Sequence, residues 1–155
     1  MIFKPKSLFY GVFHLTALIK KSKQMKVIIP VVDLESQKFV IAESFTSTEF
    51  ICIYDLVSRR FYWCKANEII KTEGNVTLAL KSNNIFSVIT NHLQMLAFNL
   101  FNESGIKVYK TFGNDLVKNI ELFEQGHLPF FTIQNCIAFA GCSSSCSSCN
   151  SQCVN

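Results

Sequence analysis

The sequence predicts one α/β domain over residues 25–135, built on a mixed sheet of about five strands with flanking helices. Three observations predict it. Short apolar runs rich in β-branched residues recur along the chain and suit buried strands. Two later stretches change to helical spacing. One of these lies between two strand-like runs, giving the order of a βαβ unit, which requires parallel pairing and a right-handed crossover.

The run Val27-Ile-Ile-Pro-Val-Val32 is the first strand, with Pro30 confined to a place where the ladder needs no donor. Residues 33–48 are polar and read as a loop with one extended piece at Phe39-Val-Ile41. Glu49–Asp55 and Arg59–Cys64 flank a turn at 56–58 and predict a β-hairpin. Past Gly74, Asn75–Lys81 reads as a short helix stopping at Ser82–Asn84, and Ile85–Ile89 as another buried strand. Leu93, Leu96, Ala97, Leu100 and Phe101 then repeat at helical spacing up to Gly105, a residue suited to a left-handed terminator. Ile106–Thr111 alternates as a strand. Asn114 is the expected N-cap of a last helix whose apolar face is Leu116, Val117, Ile120 and Phe123, with Gly126 closing it.

Two flanking segments differ from this domain in composition. Residues 1–24 hold Lys4, Lys6, Lys20, Lys21 and Lys23 around an apolar stretch from Leu8 to Ile19. That stretch is shorter than the roughly 20 residues a membrane span needs, and no membrane association is expected, a basic amphipathic membrane-surface helix being the minor alternative. Met25 is a plausible true start, and the segment reads as a mis-called or disordered leader. The formal net charge of +4 resides largely there. A basic face on the folded domain is therefore not indicated, and nucleic-acid binding is not expected.

Residues 136–155 form a tail rich in cysteine and serine, Cys142-Ser-Ser-Ser-Cys146-Ser-Ser-Cys149-Asn-Ser-Gln-Cys153. Thiolates so closely spaced can reach one soft metal ion or one iron–sulfur cluster, because short loops bring the sulfurs together at little closure entropy. Disulfides in an oxidising compartment, or reduced and idle thiols, remain open alternatives. Cys136 is a possible further ligand. Cys52 and Cys64 fall within strands and read as small buried hydrophobes. His92, in the loop entering a helix, is a candidate cofactor ligand, with a capping or surface histidine as the alternative. No catalytic residue is predicted: the chain has no G-x-S-x-G, phosphate-binding glycine loop or H-E-x-x-H.

The stretch Gly105-Ile-Lys-Val-Tyr-Lys-Thr-Phe-Gly113, followed by Leu116-Val, Ile120, Phe123 and Gly126-His-Leu128, resembles the closing half of the dinitrogenase iron-molybdenum cofactor biosynthesis family. Met25–Val31 and Phe50–Asp55 are similar to its first two strands. The resemblance implies a ribonuclease-H-like three-layer architecture and a small cytoplasmic binding protein, not an enzyme. Such a protein holds or transfers an iron–sulfur cluster or iron–molybdenum cofactor precursor and works with cofactor-assembly or acceptor proteins. At two loops the chain departs from the family: Thr90–Met95 and Ser44–Thr48 carry no glycine. A non-catalytic interaction module, its tail binding zinc or serving no role, is the alternative. A nuclease on this scaffold needs carboxylates gathered around metal ions, and only Asp33 and Asp55 sit at predicted strand ends.

Overall fold

Strand β1 (Lys26–Val31) lies at the centre of a five-stranded open sheet, where a strand apolar on both faces belongs. The computed structural model describes residues 26–71 and 73–140. Strand order is β3-β2-β1-β4-β5, with β2 (Phe50–Asp55) and β3 (Arg60–Lys65) antiparallel to their neighbours. On the other side β4 (Ile85–Thr90) and β5 (Lys107–Lys110) run parallel to β1. The sheet is therefore mixed, as the hairpin and the βαβ order predict. The ladder to β4 extends only from Lys26 to Ile28, so Pro30 lies past it; its carbonyl accepts instead from Ala42 N at 2.9 Å.

Alternation along β1 splits the core. Ile28 enters one cluster with Leu80, Val88, Phe98, Phe101 and Val108, whereas Val27, Ile29 and Val31 enter another with Cys52, Ile89, Leu116 and Ile120. The first cluster is covered by α1 (Ala66–Ile69), α2 (Val76–Ser82), α3 (Met95–Glu103) and α5 (Ile133–Ala140). The second is covered by α4 (Leu116–Glu124) and the 33–41 segment. Burying both faces of parallel strands in this way supplies most of the stabilising apolar area.

Capping explains the helix limits. Asn75 accepts from Thr77 N and Leu78 N, starting α2 as predicted. For α4 the expected cap is corrected by one residue: Asp115, not Asn114, accepts from Lys118 N at 2.9 Å. Gly105 and Gly126 follow α3 and α4 with φ of +75° and +72°, the left-handed geometry that ends a helix. Helices α1 and α5 are additions to the predicted set. No helix among the described residues is long and apolar enough to cross a membrane.

Candidate functional site

Because β1, β4 and β5 are parallel, their carboxyl ends emerge at one end of the sheet, where open α/β folds place their ligands. Three segments meet there: 32–49 after β1, 91–94 after β4 and 111–115 after β5. Backbone bonds stitch them into one platform. Ile41 N donates to Asn114 O at 2.8 Å and Leu116 N to Phe39 O at 2.9 Å, joining the first segment to the third. His92 N donates to Glu43 O at 3.0 Å, and Phe45 N to His92 O at 3.3 Å, joining the first to the second. Thr111 N donates to Thr90 O at 3.2 Å, and the Thr90 hydroxyl donates to His92 O at 2.9 Å.

Asn119 fixes the segment after β5. Fully buried at 0% exposure, its Oδ1 accepts from Phe112 N at 2.7 Å. Its Nδ2 donates to Phe112 O at 3.0 Å and Asp115 O at 2.7 Å. A buried amide so engaged holds an irregular backbone as a ladder holds a strand.

His92 occupies the centre of the platform, with a side chain 22% exposed and Nε2 3.9 Å from the Glu43 carboxylate. Burial, and then the nearby Lys110 ammonium, push its pKa below the ordinary histidine range, against an opposing effect of Glu43. Near pH 7 the imidazole is thus kept neutral, the form in which it coordinates metal. Lys110, the last residue of β5, is half-buried; its Nζ donates to the Asn91 carbonyl and, at 2.7 Å, to Asn91 Oδ1. Sequence reasoning missed this lysine. The available signal is its phase: Ile106 and Val108 point into the core, and alternation carries position 110 to the same side.

Beside the platform an apolar groove of about 1000 Å³ opens between α3, the start of α2 and the 45–50 segment. Phe45, Phe50, Ile70, Val76, Leu100 and Phe101 line it. Neither His92 nor Lys110 reaches the groove, so its size does not make it the centre of the chemistry.

The predicted metal ligands Cys142, Cys146, Cys149 and Cys153 lie outside the described residues. Cys136 is 7% exposed within the core beside Phe131, and burial raises its pKa; packing, rather than an open ligand position, accounts for it here. Among the described residues no three His, Cys, Asp or Glu side chains are grouped to hold a metal ion. The two acids considered for nuclease chemistry are separated by topology. Asp33 follows the carboxyl end of β1, whereas Asp55 pairs with Lys26 at its amino end. Each carboxylate caps its own turn, Asp33 accepting from Glu35 N and Gln37 N, Asp55 from Val57 N and Ser58 N. They cannot share a pair of metal ions.

No family model and no curated protein matches the chain. Among solved structures it is similar to a Thermotoga protein provisionally named NifB and assigned to the DUF35 family. The two are 27% identical with a TM-score of 0.54, over 69% of this chain and 96% of that one. A Methanocaldococcus jannaschii protein provisionally named a dinitrogenase is 23% identical over 70% of this chain and 96% of its own, with a TM-score of 0.53. The apo form of the orange protein from Desulfovibrio gigas is 13% identical over 69% and 92%, with a TM-score of 0.57. The latter two likenesses concern the fold alone.

Proposed function

We propose that this chain is a small non-catalytic carrier that holds or transfers an iron–sulfur or iron–molybdenum-type cofactor, or its precursor, on a ribonuclease-H-like scaffold in the cytoplasm. The observation that carries this reading is the likeness to the Thermotoga protein, whose name points to nitrogenase. Strand order β3-β2-β1-β4-β5, with helices on both faces, supports the scaffold assignment.

The platform residues fit a cluster anion better than a bare metal ion. One neutral imidazole and one ammonium meet at the carboxyl ends of β4 and β5, and no three-ligand group accompanies them among the described residues. His92 would hold one exposed iron or molybdenum; Cys142, Cys146, Cys149 and Cys153 would supply thiolates. When bound, the cofactor brings its own redox and ligand-exchange chemistry. The protein's part is to bind it, orient it through a pinned loop and present it to an assembly or acceptor protein.

Anaerobic reconstitution of the full chain with iron and sulfide tests the reading. The expected result is cluster absorption with several irons per chain, reduced in a variant with all four tail cysteines changed to serine and in His92→Ala. A colourless, iron-free protein that also takes up no molybdenum–sulfur anion rejects it. A second reading, an interaction module with a zinc-binding or idle tail, is favoured by the apolar groove and by exposed Leu96 and Leu100 on α3. Stoichiometric zinc without iron after purification in unsupplemented medium supports that alternative.

A further inference from the structure

Lys110 poses a problem of charge. It occupies the core-facing phase of β5, half-buried, and among the described residues its ammonium contacts neutral groups: the Asn91 carbonyl and side-chain oxygen, and the Phe131 ring with its centroid 5.9 Å away. The carboxylates that lie within 4.0 Å of a basic side chain among the described residues, Glu124 beside Arg59 and Glu43 beside His92, are not paired with it. Burial alone displaces its pKa, downward, with no neighbouring carboxylate contributing. A half-buried ammonium with no carboxylate paired to it among the described residues loses part of its hydration, and two bonds to neutral Asn91 offset part of that cost. A methionine would fill the same space at no such penalty. Charge retained at a structural expense, at the end of the sheet where ligands bind, points to use.

We propose that Lys110 is the cationic element of an anion-binding site formed by the 91–94 segment and the carboxyl end of β5. This deepens the carrier reading of the same platform and rests on it only for the class of anion, a sulfur-rich metal cluster rather than a simple oxyanion. The division of labour follows from the geometry. Lys110 contributes charge, Asn91 aims it, and His92, its side chain 22% exposed in the same 91–94 segment, adds an imidazole to the platform. Recognition by charge also suits a carrier, because an ion pair forms with any cluster of the right sign and size and leaves exchangeable positions open.

The test uses the full chain, with tetrathiomolybdate as the sulfur-rich anion and inorganic phosphate as the oxyanion. Lys110→Met should weaken tetrathiomolybdate binding by roughly 10- to 100-fold, the span of one hydrogen bond to a charged group, and should flatten its salt dependence. Lys110→Arg should retain most of the affinity. Thermal melting checks that both variants fold. Independently of any variant, acetylation of wild-type protein followed by mass spectrometry should show Lys110, but not the exposed Lys107, protected by the anion. Unchanged affinity and salt slope in Lys110→Met, or no protection of Lys110, overturns the proposal and leaves the carrier reading standing. Phosphate binding that requires Lys110, without tetrathiomolybdate binding or cluster uptake, keeps the anion site and removes the carrier reading. Binding of neither probe overturns the anion site.

Discussion

Replacing Asn119 by alanine should unlock the segment after β5 without touching the apolar core. Three short bonds disappear together: Phe112 N to Oδ1 at 2.7 Å, and Nδ2 to Phe112 O at 3.0 Å and to Asp115 O at 2.7 Å. At about 1 kcal/mol net for each bond, the loss is about 3 kcal/mol. The freed Phe112 N–H and C=O are partly repaid by water, because Phe112 itself is exposed. With a urea slope of about 1.5 kcal/mol per M, the unfolding midpoint followed by circular dichroism should fall by about 2 M. Asn119→Asp should cost at least as much: it keeps the acceptor for Phe112 N but aims an anionic oxygen at the Phe112 and Asp115 carbonyls. A fall of under about 0.5 M for the alanine variant, at unchanged slope, would refute the claim that this amide holds the platform.

Leu80→Ala removes a fully buried side chain between α2 and the sheet and should cost roughly 2–5 kcal/mol in the same assay; a loss near zero would mean α2 packs elsewhere. The lowered pKa of His92 makes stability pH-dependent with a definite sign. As pH falls through the ordinary histidine range the unfolded chain takes up the proton first, so stability is complete above that range and declines toward the lower folded value. His92→Gln should lack this component, and parallel stability–pH curves for the two proteins would contradict it. Cys52 is 0% exposed and burial pushes its pKa up to about 12, so maleimide should modify it only after unfolding, while partly exposed Cys64 reacts earlier. Peptide mapping of timed samples reads the order, and early labelling of Cys52 would show that β2 opens readily.

What the sequence made legible follows from how each element is stabilised. The runs in β1, β2 and β4 stand out because strands buried on both faces must be nearly continuous in apolar residues. Helix α2 is marked by Asn75, since capping is a local bond between near neighbours. Helix α1 has four residues and none buried, so no periodic pattern exists to find. Helix α5 is revealed by contact, not by period: Cys136 enters the core beside Phe131 while Ile133 remains exposed. His92 was visible as a histidine before a helical pattern, but its meeting with Glu43 depends on a pairing across the sheet end that neighbouring residues do not encode. Lys110 was legible only in part, because strand alternation gives its direction but not that, among the described residues, no carboxylate pairs with it.

The same topology explains how the site positions a cation that no carboxylate pairs with among the described residues. Lys110 ends a strand anchored by Val108, with the chain behind it sealed by Lys110 N to Pro129 O and Phe131 N to Val108 O, both at 2.9 Å. Asn91, which receives its ammonium, begins a segment clamped by His92 to the loop after β1. The backbone that carries each partner is thus fixed on both sides, and the two bonds from Nζ hold the ammonium against Asn91. Such fixed partners keep the half-buried cation aimed at one place for an incoming anion. Stability invested in Asn119, the backbone stitches and the two core layers is thus the physical condition for the chemistry assigned to His92 and Lys110. Variants that loosen the platform should impair binding even where both of those side chains are intact.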